Sequence, residues 1–169
     1  MRAIPVIAVC CITLLMASVA GAAQKFRPAP GCKRESKLAE LEASLKGEKK
    51  VPYDAAVQPL ERCNAVQPKP AAELKRTGEP LIAIIVFDVT GSGRVVNQQV
   101  IGQTSLWAKQ SQDALAQTLY APLIESDIGV TRVGARIAFV LEFQGRGQSC
   151  GQVPPRTGVN FEVRICASR

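Results

Sequence analysis

The chain has 169 residues, 21 of them basic and 14 acidic, a formal net charge of +7 and no histidine. Without histidine there is no Ser-His-Asp triad, no Cys-His pair and no HExxH zinc helix. Aromatic residues make up 5% of the chain and are not interleaved with a basic run, so a nucleic-acid surface is not expected.

Residues 1–22 have the make-up of a secretory signal: a positive start at Arg2, an apolar run over 4–16, and the small residues Ala20-Gly21-Ala22. Cleavage is expected between Ala22 and Ala23, delivering the protein across the inner membrane to the periplasm. The competing reading is an uncleaved membrane anchor, because the apolar run is close to the shortest that spans a bilayer. Cys10 and Cys11 sit in the middle of that run and read as small apolar residues.

Once the signal is removed, Cys32, Cys63, Cys150 and Cys166 remain. An even number in an oxidising compartment points to disulfides. The expected pairs are Cys32–Cys63 and Cys150–Cys166, each closing one local segment, with crossed pairings as the alternative. No C-x₂₋₄-C pair exists, so a zinc site is not expected.

Residues 23–77 form a preface. Pro28 and Pro30 favour an extended start. A short helix follows, with Ser36 as N-cap, Leu38, Leu41 and Leu45 on one stripe, and Gly47 as its stop. Pro52 and Pro59 argue for turns over 51–61. Pro68-Lys69-Pro70 resembles a linker.

Residues 78–143 carry the core. Leu81–Val89 is an apolar run rich in β-branched residues, bounded by Pro80 and by Thr90-Gly91-Ser92-Gly93, and it predicts a buried strand followed by a hairpin loop. Asp88 is expected to order that loop through its side chain. Residues 94–101 predict a second strand with at least one wet face. Thr104 or Ser105 suits the N-cap of a helix running to about Tyr120, with Trp107, Ser111, Ala114, Leu115 and Thr118 on its buried stripe. Residues 136–143 predict a third strand, with Ile137, Phe139, Leu141 and Phe143 on one face and Arg136, Ala138, Val140 and Glu142 on the other. The expected fold is therefore α+β: a small antiparallel sheet with a packed helix, in the order strand, strand, helix, strand.

The tail, residues 144–169, alternates at Phe161, Val163 and Ile165. With a turn over 155–158 and Cys150 facing Cys166, it predicts a disulfide-stapled, hairpin-like flap on the same domain.

The core resembles the TonB C-terminal domain family over residues 78–143. Asp88, Gly93, Val95 and Val96 match that family's turn and second strand. Ala114 and Leu115 match its helix, and Tyr120 with Pro122 matches the aromatic-x-proline at the helix end. The helix departs from the family pattern at Gln117 and Thr118, where basic residues are usual, and the cysteine-bearing tail is an addition. The resemblance implies a protein-binding module linked to outer-membrane transport. An envelope protein would add a strand along the edge formed by Arg136, Ala138, Val140 and Glu142. The tail strand would then cover or gate that edge.

No cofactor motif is present, and no catalysis is expected. Gly91-Ser92-Gly93 lacks the spacing of a nucleophile elbow. Glu125 and Asp127 share a loop and read as solvated carboxylates rather than a glycosidase pair. Two other functional readings stand beside the binding module: a disulfide-stabilised structural or inhibitor-like secreted protein presenting the 151–158 loop, and a membrane-anchored TonB-like transducer if residues 1–22 stay attached.

Overall fold

The computed structural model describes residues 32, 37–64, 66–76, 79–102, 105–144 and 156–168. The signal segment with Ala22 and Ala23, the caps expected at Ser36 and Thr104, and Cys150 all lie outside these residues. The fold is α+β.

Helix α1 (Leu38–Ser44) leads into β1 (Gly47–Pro52). A 3-10 helix, Ala72–Arg76, precedes the hairpin of β2 (Leu81–Val89) and β3 (Val95–Ile101). Helix α2 (Leu106–Ala116) follows, then the short β4 (Ile124–Glu125), the long β5 (Ile128–Gln144) and β6 (Phe161–Ser168). All six strands join one sheet, with the path β1-β5-β2-β3 and with β4 and β6 also paired to β5.

The hairpin follows from its residues. In β2, Ala83, Ile85, Phe87 and Val89 are buried and alternate with half-exposed positions, each large side chain contributing about 1.5–3 kcal/mol. Thr90 closes the loop: its N–H donates to the Arg94 carbonyl (2.9 Å), and its hydroxyl accepts from the Arg94 N–H (3.0 Å). Asp88, expected in that role, instead accepts from the Asn97 amide (2.8 Å) and from the Gly134 N–H (2.9 Å). It ties β3 and β5 to β2 rather than ordering the turn.

On α2, Ser105 is the N-cap and accepts from the Ala108 N–H at 3.1 Å. Trp107, Ser111, Ala114, Leu115 and Thr118 are all buried, as the stripe predicts. The helix ends at Ala116, before the expected Tyr120. Thr118 bonds back to the Ala114 carbonyl, while Leu119 and Tyr120 leave the helix to form backbone bridges with Arg94 and Arg62. Tertiary backbone partners outcompete the last helical turn.

Three further expectations change. Gly47 opens β1 rather than stopping a helix, and β1 pairs in parallel with residues 128–133 of β5. The preface therefore belongs to the same sheet as the core. Strand β5 begins at Ile128, well before the alternating 136–143 stretch. Strand β6 lies parallel to β5, Phe161 opposite Ile137 through to Ser168 opposite Gln144. The tail strand thus covers the 136–143 edge, as expected, the flap over residues 145–155 lies outside the described residues, and the sheet is mixed rather than wholly antiparallel.

A bulge decides what β5 buries. Register shifts between Phe87 and Val89, so that Ala135 faces Phe87 and Arg132 faces Val89. Gly134 sits within the shift at φ +83°. Strict two-residue alternation inward from Ile137 would turn Val133 toward the core. The extra residue turns Arg132 inward instead.

Candidate functional site

The expected partner edge is filled. Ala138, Val140 and Glu142 sit opposite Glu162, Arg164 and Cys166 of β6, and the other side of the strand pairs with β2. Asn160 caps the start of the ladder: its side-chain carbonyl accepts from the Arg136 N–H (2.7 Å), and its own N–H donates to the Arg136 carbonyl (2.9 Å). Arg136 remains exposed, Ala138 and Val140 are buried, and Glu142 is half-buried. Arg164 clamps the two strands, reaching Glu142 at 2.7 Å and Glu162 at 2.6 Å. Phe161, Val163, Ile165 and Ala167 pack against the core on the face shared with α2. A partner strand pairs along 136–143 only if β6 leaves.

The cysteine expectation holds in the preface, where Cys32 and Cys63 form a disulfide with their Cα atoms 5.4 Å apart. Cys166 is disulfide-bonded. Glu125 and Asp127 make exposed ion pairs with Lys49 (3.6 Å) and Lys46 (2.9 Å), as a solvated loop would. The Pro68-Lys69-Pro70 stretch lies beside α2, with Pro68 buried and the Ala71 N–H on Gln110 (3.4 Å).

Among the described residues β1, β3, β4 and β6 each pair with one strand only, and of these outer strands β3 (Val95–Ile101) alone carries no charged side chain. Asn97 interrupts it at φ +53° beside the shift between Val86 and Asp88, which leaves Gln98 to Ile101 as regular strand. Ile101 is 47% exposed, and Ile82, on the same face of neighbouring β2, is 43% exposed. The Gln98 side-chain oxygen is buried without a donor.

A second centre was invisible to sequence reasoning. Tyr120, buried and stacked on Phe87 at 6.0 Å, lies in the field of both Arg62 and Arg132. Burial pushes its phenol up to about 12 against the opposing pull of the two cations. Burial also raises Tyr53 and lowers Arg132. Arg132 is 2% exposed, donates from one terminal nitrogen to the Ala121 carbonyl (3.0 Å), and leaves Nε without a partner. Neither arginine is ion-paired among the described residues. Beside Tyr120 a cleft of about 250 Å³ opens between Leu60 and Arg62 on one side and Ile137, Phe161 and Val163 on the other. The only local signal for this centre is Gly134, the glycine that lets the bulge form.

The hairpin loop meets the segment that follows α2. Tyr120 donates its N–H to the Gly93 carbonyl at 2.9 Å, and a Cβ on Gly93 would lie 2.0 Å from the Tyr120 carbonyl and 3.6 Å from the Pro122 nitrogen. The hairpin loop and the aromatic-x-proline segment are one packed unit. Among the described residues no helix is long and apolar enough to cross a membrane, and no cluster of metal-binding side chains occurs. No protein-family model matches the chain, and no curated protein matches it.

Proposed function

We propose that the chain is an exported, envelope-facing protein-binding module that works by strand addition, with β3 rather than β5 as the receiving edge. The observation that carries this reading is the contrast between the two edges. The β5 edge is closed by β6 along eight paired positions, whereas β3 ends the sheet and bears no charge between Val95 and Ile101. Exposed strand edges are normally guarded by lysine, proline or a bulge. Here Asn97 guards only the first half. The second half offers backbone groups, with Ile101 and Ile82 beside them for a partner's apolar side chains. The resemblance to TonB C-terminal domains, the signal-like start and the cysteines support an extracytoplasmic setting.

The test is a photo-crosslinking residue at Gln99 in the full chain, expressed in a bacterial envelope, with the adducts identified by mass spectrometry. A discrete adduct with one envelope protein is expected, reduced at least about tenfold when Ile101→Lys places a charge on the edge. The same adduct yield with and without Ile101→Lys counts against β3. A discrete adduct only from a probe at Glu142 in a chain lacking residues 161–169 would return the site to β5.

A further inference from the structure

The cleft beside Tyr120 lies two strands away from β3 and is independent of the strand-addition reading. We propose that it binds a small apolar carboxylate, with the anion between Arg62 and the Tyr120 hydroxyl and the apolar body against Leu60, Ile137, Phe161 and Val163.

Three observations converge on this ligand. The first is shape and lining. At about 250 Å³ the cleft holds a group of about eight non-hydrogen atoms, taking about 30 Å³ for each. Leu60, Ile137, Phe161 and Val163 form its apolar wall, and Arg62, Tyr120, Asn160 and Glu162 supply its polar groups, a mixture that suits a small-molecule site. The second is charge. Arg62 lines the cleft and has no carboxylate partner among the described residues. Glu162 also lines it, but its carboxylate is held by Arg164 at 2.6 Å and Arg156 at 3.5 Å. It therefore adds no free negative charge.

The third observation is Arg132. A buried guanidinium ordinarily has a carboxylate partner, because an unpaired charge away from water is costly. Arg132 has one carbonyl bond and a bare Nε. Its field and that of Arg62 fall on the same hydroxyl, that of Tyr120. An anion accepting a hydrogen bond from that phenol would meet Arg62 directly and lie in the field of Arg132, which stands behind Tyr120 and does not itself line the cleft. The phenol is also the right partner chemically: its high pKa keeps it a donor at any physiological pH. Specificity would come from the pairing of the two ends, since an alcohol of the same length fills the apolar part without satisfying the cations.

The probe is hexanoate, with hexan-1-ol as the uncharged match, titrated into the oxidised exported chain and followed by amide chemical shifts. Saturable binding of hexanoate is expected, with shifts centred on Leu60, Tyr120, Ile137 and Phe161. Arg62→Ala, an exposed position, should weaken it at least about tenfold and leave the remaining spectrum unchanged. Hexan-1-ol should bind at least about tenfold more weakly than hexanoate. Three results each overturn the proposal: no saturation by hexanoate at about 10 mM, equal affinity for hexanoate and hexan-1-ol, or unchanged affinity in Arg62→Ala.

Discussion

Trp107 donates its indole N–H to the Phe139 carbonyl at 3.0 Å, joining α2 to the middle of β5 across 32 residues of sequence. Trp107 is 1% exposed, so this bond is made away from water and fixes how the helix sits on the sheet. Trp107→Ala loses both the packing and the bond, and is expected to cost about 3–5 kcal/mol. Trp107→Phe keeps most of the packing but strands the carbonyl, for about 1–3 kcal/mol. Urea unfolding monitored by circular dichroism separates the two. In the native protein the tryptophan emission should be blue-shifted and shift red on unfolding.

Gly93 and Gly47 form a matched pair of tests. Gly93 has φ +98°, and a Cβ there would meet the Tyr120 carbonyl at 2.0 Å; around Gly47 nothing lies within 4 Å. Gly93→Ala should destabilise by at least about 2 kcal/mol, because strained backbone and steric overlap add. Gly47→Ala should shift stability by less than about 1 kcal/mol. Thermal unfolding of both variants decides whether the loop and the Tyr120 segment are the rigid unit the geometry describes.

Alkaline stability should report Tyr120. Its phenol is raised from the ordinary 10 to about 12, chiefly by burial. The folded state therefore favours the neutral form. That contribution is complete below pH 10 and disappears as pH rises through about 12. Two units correspond to about 3 kcal/mol. Tyr120→Phe should flatten the loss of stability between pH 10 and 12. An equally steep decline in the variant would assign the effect to other groups.

Reduction of Cys32–Cys63 opens a loop whose ends are 31 residues apart. Chain-entropy reasoning puts the loss at about 3–4 kcal/mol. Cys63 also donates its N–H to the Leu119 carbonyl (2.7 Å), and neighbouring Arg62 pairs with Tyr120. Cys32→Ser with Cys63→Ser should therefore raise amide hydrogen exchange first in residues 60–64 and 119–121. Uniform loosening of the whole sheet would contradict this local coupling.

The ion pair of Glu42 with Arg94 should matter less. Glu42 Oε1 accepts from Ser92 Oγ (2.8 Å) and from Arg94 Nε (2.7 Å), linking α1 to the hairpin loop. Burial pushes the Glu42 carboxyl up, but those two bonds and the Arg94 charge together hold it below its ordinary value. Both side chains are about two-fifths exposed, so Glu42→Gln should cost less than about 1 kcal/mol. Because the carboxyl is lowered, its contribution is present above the ordinary carboxylate range and is lost on acidification through it. Unfolding at neutral and mildly acid pH, wild type against Glu42→Gln, checks both size and sign.

The sequence by itself determined the elements whose order comes from short-range pattern. Leu81–Val89 is a strand because its apolar run is bounded by proline and glycine, and α2 starts at Leu106 because Ser105 caps an apolar stripe. Faces follow in the same way: Ile137, Phe139, Leu141 and Phe143 are buried together, as a period of two demands. The tertiary structure alone decided what depends on distant partners. Strand β1 reads GEKKVP and is exposed at nearly every position; it has no apolar alternation and is a strand only because β5 supplies backbone hydrogen bonds. The direction of β6 was equally hidden, since alternation assigns faces but not polarity. Arg132 is the sharpest case. Its identity argues for the surface, and one extra residue at the Gly134 bulge turns it into the core beside Tyr120. A register shift costs little locally yet reverses every side chain beyond it, so the candidate binding cleft is a property of strand register and not of any motif.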